Sequence, residues 1–127
     1  MRPRIALAIV AAFALIVLAL AASAFAGSQT TNPKLLGVVG KNDAFNISLT
    51  SKGQAVKTLK AGTYTIVIQD DSTIHNYELD GPSGKSWTFT SVGFKGTKTI
   101  TLKLAKGKYK AYCEPHESFM FMRFTVV

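Results

Sequence analysis

Cysteine and histidine are scarce in this chain, and their placement is correspondingly informative. There is one cysteine, Cys113, and there are two histidines, His75 and His116. Cys113 opens the segment Cys-Glu-Pro-His-Glu-Ser-Phe-Met, in which His116 comes three residues later and Met120 four residues after that. A thiolate, two imidazoles and a weak axial thioether are the donor set of a mononuclear blue-copper site, which keeps similar ligand positions in both oxidation states. Spacings of three and four residues let one bent loop gather Cys113, His116 and Met120, while His75 has to come from a different strand, so folding assembles the site. Pro115 restricts the loop and favours an extended Glu114 before it.

Each of these residues has an ordinary reading when taken singly. A lone cysteine is a small buried hydrophobe, a strand histidine is a hydrogen-bonded residue, and a methionine near a closing strand fills core. Taken together they reinforce one another. The only cysteine, one of two histidines and a methionine fall within eight residues. An unpaired cysteine in an exported chain also calls for a reason, since it cannot close an internal disulfide.

Export is read from the N-terminus. Arg2 and Arg4 precede a charge-free apolar run from Ile5 to Ala22, and Ala24-Phe25-Ala26 supplies small residues on either side of a cleavage point before Gly27. This is the pattern of a secretory signal peptide, predicted over residues 1–26. The protein is then periplasmic, cell-surface or secreted. The run is also long enough to span a membrane, so an uncleaved signal would leave the domain membrane-anchored. Residues 27–34 are polar, contain Asn32-Pro33, and read as a flexible leader. Residues 35–127 form one domain.

The formal charge is +8, falling to +6 once Arg2 and Arg4 are removed. The excess is largely lysine, with Lys95, Lys98, Lys103, Lys106, Lys108 and Lys110 close together. Such a run is ordinarily a solvated strand face. It also offers attraction to anionic walls, lipid headgroups or an acidic redox partner. Nucleic acid is excluded as a partner, because the chain leaves the cytoplasm and has no recognition-helix pattern.

After the leader the chain reads as strands. Phe45, Ile47 and Leu49 alternate with polar residues, as do Ile100, Leu102 and Leu104, and Thr63–Gln69 is rich in β-branched and aromatic residues. Ile74–Leu79, Ser86–Thr90, Lys108–Cys113 and Phe119–Val127 complete the set, separated by turns such as Lys52-Gly53, Gly81-Pro82-Ser83-Gly84 and Lys106-Gly107. No window has a useful helical period. The expectation is an all-β sandwich of about 7–8 strands, with His75 on the strand Ile74–Leu79.

Cys113-Glu114-Pro115-His116 followed by Met120, with His75-Asn76 upstream, resembles the small blue copper proteins of the cupredoxin family, such as plastocyanin, amicyanin and pseudoazurin. The resemblance implies a Greek-key β-sandwich with one copper ion at one end, held by His75, Cys113, His116 and Met120. It implies that Asn76 ties the two ligand segments together and that His116 is the more exposed ligand and the electron port. Tyr112 matches an aromatic residue discussed as an electron route, with core packing as its plain alternative. Met122 stands where family members commonly have glycine. It could compete as axial ligand, but alternation carries it further into the core. Phe119 and Phe121 are candidates for an apolar docking rim, one of them expected in the core. Glu114 and Glu117 bring negative charge to the loop.

These readings converge on an exported monomer that carries single electrons to or from a redox protein partner and is not an enzyme. There is no second copper set and no second cysteine for a binuclear centre. Two rivals use the same residues or none of them: copper delivery to an acceptor without redox exchange, and a metal-free structural domain.

Overall fold

The computed structural model describes Gly27 and residues 29–127, so the predicted signal peptide, residues 1–26, lies outside the described residues. Turns cut the chain into short alternating runs, and most of these runs become strands. One five-stranded sheet contains β1 (Lys34–Val39), β2 (Ile47–Ser51), β3 (Gln54–Ala55), β5 (Gly62–Asp70) and β8 (Gly96–Leu104). The other contains β4 (Thr58–Leu59), β6 (Tyr77–Asp80), β7 (Ser86–Thr90), β9 (Gly107–Tyr112) and β10 (Phe121–Val126). Their orders are β3-β2-β1-β5-β8 and β4-β10-β9-β6-β7. The chain crosses between the sheets repeatedly, Greek-key fashion, and β1 runs parallel to β5 as a result. This is the β-sandwich expected from the sequence, with ten strands among the described residues. The excess over the expected number comes from the two-residue strands β3 and β4, which are too short to show a period.

Alternation drives the assembly. In β5, Tyr64, Ile66 and Ile68 point inward, whereas Thr63 and Gln69 are exposed. These residues meet Leu35 and Val39 from β1, Leu79 from β6 and Phe124 and Val126 from β10 in one core. Fully burying each such aliphatic or aromatic side chain contributes about 1.5–3 kcal/mol. Tyr109 and Phe124 stack across β9 and β10 with centroids 5.0 Å apart.

The structure differs from the sequence reading at three places that matter for the site. β6 begins at Tyr77, so His75 and Asn76 lie in the connection that precedes it. Polar side chains take the backbone out of the ladder there. The Ser72 amide donates to Asp70 Oδ1 at 3.2 Å, and the Ile74 amide reaches Ser72 Oγ at 3.5 Å. Glu114 is not extended. The extended residue is Cys113 (φ −100°, ψ 119°), and Glu114–His116 form a 3-10 turn with Pro115 in its first positions, where proline's fixed φ is compatible with helix. β10 starts at Phe121, which leaves Phe119 and Met120 in the loop. Among the described residues no helix is long and apolar enough to cross a membrane.

Candidate metal centre

Three connections meet at one end of the sandwich: the segments between β1 and β2, between β5 and β6, and between β9 and β10. The last of these is residues 113–120. It is closed at its base by the Cys113 amide donating to the Met120 carbonyl at 3.0 Å. Inside it the His116 amide donates to the Cys113 carbonyl at 3.1 Å, and the Met120 amide donates to the His116 carbonyl at 2.8 Å. The loop therefore doubles back on itself, and the spacing of three and four residues becomes proximity.

His75 enters from the other sheet connection. Its Nδ1 lies 3.1 Å from His116 Nδ1 and 3.6 Å from Cys113 Sγ, and His116 Nδ1 lies 3.5 Å from the same sulfur. A point equidistant from the three atoms is about 2.0 Å from each, a metal-to-imidazole-nitrogen length. His75 and Cys113 are completely buried, and His116 is half-buried. Burial holds the His75 ring below the usual imidazole value, and the neighbouring His116 adds to that. Burial also pushes the Cys113 thiol up. Two imidazole lone pairs and a thiol thus converge on one buried point, with a neutral ring at His75. His75 Nε2 has no hydrogen-bond partner among the described residues, so the ring is positioned by packing. Gly40 backs it with φ +67°, and a Cβ there would come within 2.8 Å of His75 Cδ2 and 2.6 Å of Ser72 Cβ.

Asn76 does tie the two segments together. The Glu114 amide donates to Asn76 Oδ1 at 2.7 Å. Because a backbone N–H can only donate, this bond fixes the side-chain oxygen there and turns Nδ2 toward Glu78. Asn76 Nδ2 donates to Glu78 Oε1 at 2.8 Å, and Thr88 Oγ1 donates to Glu78 Oε2 at 2.8 Å. Glu78 is nearly buried, and desolvation raises its carboxyl above the usual range. Sequence reading missed this residue. No signal along the chain marked it, because a buried acid is explained by its partners, and these are Asn76 and, across β6 and β7, Thr88.

Phe45 was also missed as a site residue, having been read as part of an inward strand face. It lies ahead of β2, 55% exposed. Its ring meets His75 edge-on at a centroid distance of 5.1 Å and His116 at 4.9 Å. Phe119 packs against Phe45 at 5.8 Å and His116 at 5.7 Å. Phe119 and Phe121 are 61% and 41% exposed, so neither is core; Phe119 lies against His116, whereas Lys110 and Arg123 sit over the Phe121 ring.

The remaining predicted residues are placed as follows. Met120 is buried within the loop, and Met122 packs against the core two residues further along β10, as alternation requires. Tyr112 is half-buried and lies on the outer face of β9, opposite the buried Ala111; its hydroxyl donates to Asp80 Oδ1 at 3.4 Å. Core packing is therefore not its role. Glu117 pairs with Lys110, whose ammonium also sits over the Tyr112 ring, so part of the loop's negative charge is neutralised locally.

No protein-family model and no curated protein matches the chain. Solved structures do match. The copper protein rusticyanin superposes with a TM-score of 0.54 at 13% identity, covering 74% of this chain and 76% of that one. Reduced rusticyanin gives 0.54 at 15% identity, covering 74% and 78%. Rusticyanin from Thiobacillus ferrooxidans gives 0.51 at 15% identity, covering 74% and 76%. At these identities the likeness is one of fold. The chain therefore has the cupredoxin fold, and its His75–Cys113–His116 cluster, suited to a copper ion, lies at one end of that sandwich.

Proposed function

We propose that this is an exported copper protein of the blue-copper type, which carries single electrons and performs no catalysis of its own. The observation that carries the reading is the convergence of His75 Nδ1, His116 Nδ1 and Cys113 Sγ within 3.6 Å of one another at a buried point. Bound copper would supply the redox chemistry, exchanging one electron between Cu(I) and Cu(II). His75, Cys113 and His116 would be its strong ligands, and Met120, buried in the same loop, would offer a weak thioether donor.

The surrounding residues fit this role. Two crossed hydrogen-bonded segments and the base pair Cys113–Met120 keep the donors in place whichever oxidation state they hold. Phe45 and Phe119 shield the two imidazoles from water, which favours the less charged metal state. Half-buried His116 lies beside the exposed rings of Phe45 and Phe119, an apolar patch where a redox protein partner can approach it. The domain acts as a monomer.

Electron carriage and copper delivery use the same donors, and kinetics separates them. Mixed anaerobically with a reduced cytochrome, the copper-loaded protein should oxidise it rapidly while retaining its metal. Transfer of copper to a metal-free acceptor, with no electron exchange, would replace this reading with delivery. Export is tested by mass spectrometry of protein from its host, with Gly27 the expected first residue.

A further inference from the structure

The lysine-rich segment is divided by the fold. Lys95 and Lys98 lie at the metal end, where β8 begins opposite Asp70. Lys106 lies at the opposite end, in the turn between β8 and β9, and it has company there. The registers Lys34↔Thr65, Gly62↔Leu104 and Val126↔Gly107 bring the start of β1, the start of β5, the end of β8 and the end of β10 to that same end. Every connection at this pole presents an exposed lysine: Lys52 after β2, Lys57 before β4, Lys60 before β5, Lys85 before β7 and Lys106 before β9, with Lys34 where β1 begins.

Those connections contain no aspartate or glutamate. The acid nearest to them is Asp80, half-buried at the end of β6, where it accepts from the Tyr112 hydroxyl. The exposed carboxylates Asp43, Glu114 and Glu117 are at the metal end, together with the exposed apolar residues Phe45, Ile74, Val92, Phe119 and Phe121. The molecule is bipolar. One end carries features that suit a protein partner, and the other is a ring of cations around a strand-end surface on which Leu36 and Val127 are the exposed large apolar residues.

We propose that the lysine pole docks on an anionic lipid surface and holds the domain with its metal end turned away from the bilayer. Among the described residues the pole has no exposed aromatic, and its one acid, Asp80, is half-buried, which suits a planar, laterally mobile array of negative headgroups. Lysines near such a surface are attracted to it, and the attraction fades within a Debye length. The chain also arrives at this pole. Residues 1–33 precede β1, and their charge-free stretch 5–22 is joined to Lys34 by residues 23–33, which reach at most about 40 Å when fully extended. Where that stretch is retained, it tethers this end and no other close to a membrane. This surface stands whether or not the metal centre carries copper.

Orientation is the readout that tests it. The full chain is mixed with vesicles of phosphatidylcholine alone or of phosphatidylcholine with phosphatidylglycerol, labelled briefly with an amine-acetylating reagent, and each lysine is quantified by mass spectrometry. On the anionic vesicles Lys52, Lys60 and Lys106 should label at least threefold more slowly than on neutral ones, while Lys41 and Lys95 keep their rates. Salt at about 1 M, where the Debye length is about 3 Å, should remove the difference. Replacing Lys52, Lys60 and Lys106 together by glutamine should abolish the protection of Lys34 and Lys85. Equal protection at both ends, or none on anionic vesicles, would overturn the proposal; the second result would point to an acidic protein as the occupant.

Discussion

Replacing Glu78 by leucine separates what holds the metal loop from what merely fills the sandwich. Glu78 accepts from Asn76 Nδ2 and from Thr88 Oγ1, each at 2.8 Å. Leucine keeps bulk and removes both acceptors. Thr88 is exposed and can turn to water, but Asn76 is 1% exposed and cannot. A hydrogen bond to a charged group is worth about 1.5–3 kcal/mol, so losing the one from Asn76 should make opening of the Asn76–Glu114 contact about 10–100 times more frequent. Global stability reads this poorly, because apolar burial of leucine and relief of a desolvated carboxylate offset the loss. Amide hydrogen exchange at Glu114 reads it directly, since that N–H donates to Asn76 Oδ1 at 2.7 Å. In the metal-free protein, Glu78→Leu should speed exchange at Glu114 by that factor. Glu78→Gln keeps a neutral acceptor and should fall below about tenfold, because a neutral bond is worth roughly 1 kcal/mol. If both variants exchange at the wild-type rate, Glu78 does not hold Asn76 and the network has no part in positioning the loop.

Met120→Leu should leave the fold intact, at a packing cost below about 1.5 kcal/mol, and raise the reduction potential by removing a donor that helps the more highly charged ion; Met122→Leu should change little, and the reverse pattern in voltammetry would assign the axial role to Met122. Phe45→Ala should lower the potential, because water admitted to the two imidazoles favours Cu(II); an unchanged potential would mean that Phe45 shields nothing. Without metal, the domain should lose stability as pH rises above about 8.5. Burial raises the folded Cys113 above its unfolded value, so the unfolded chain gives up its proton first. Thermal unfolding of Cys113→Ser should show the loss beginning higher, in the tyrosine range, where Tyr77, Tyr109 and Tyr112 are also raised by burial.

The strands were legible because their side chains alternate, β5 throughout and β8 from Ile100 to Leu104. The donors were legible because Cys113 and the two histidines have few competitors of their type. Local exceptions were hidden. His75 left its expected strand because Asp70 and Ser72 bond the backbone just before it, a preference that competes with the ladder and has no period. Phe45 fitted the alternation of Ile47 and Leu49, yet the turn at Lys41–Asp43 breaks the register and turns its ring onto the imidazoles. Glu78 needed knowledge of which residues face it across β6 and β7, and the register there includes an irregularity between Tyr77 and Glu78. The division of the lysines between two ends is likewise a matter of strand direction, which spacing along the chain does not reveal.

In the proposed centre Cys113, as thiolate, and the imidazoles of His75 and His116 hold one copper ion. Titrating the metal-free protein with Cu(II) while recording visible absorption and paramagnetic resonance tests it directly. One equivalent should produce an intense blue or green band, from charge transfer between sulfur and copper, and the signal of a single mononuclear site, and Cys113→Ser should lose the band even where some copper still binds through His75 and His116. A protein that stays colourless with bound Cu(II), or a serine variant that stays coloured, would contradict the account.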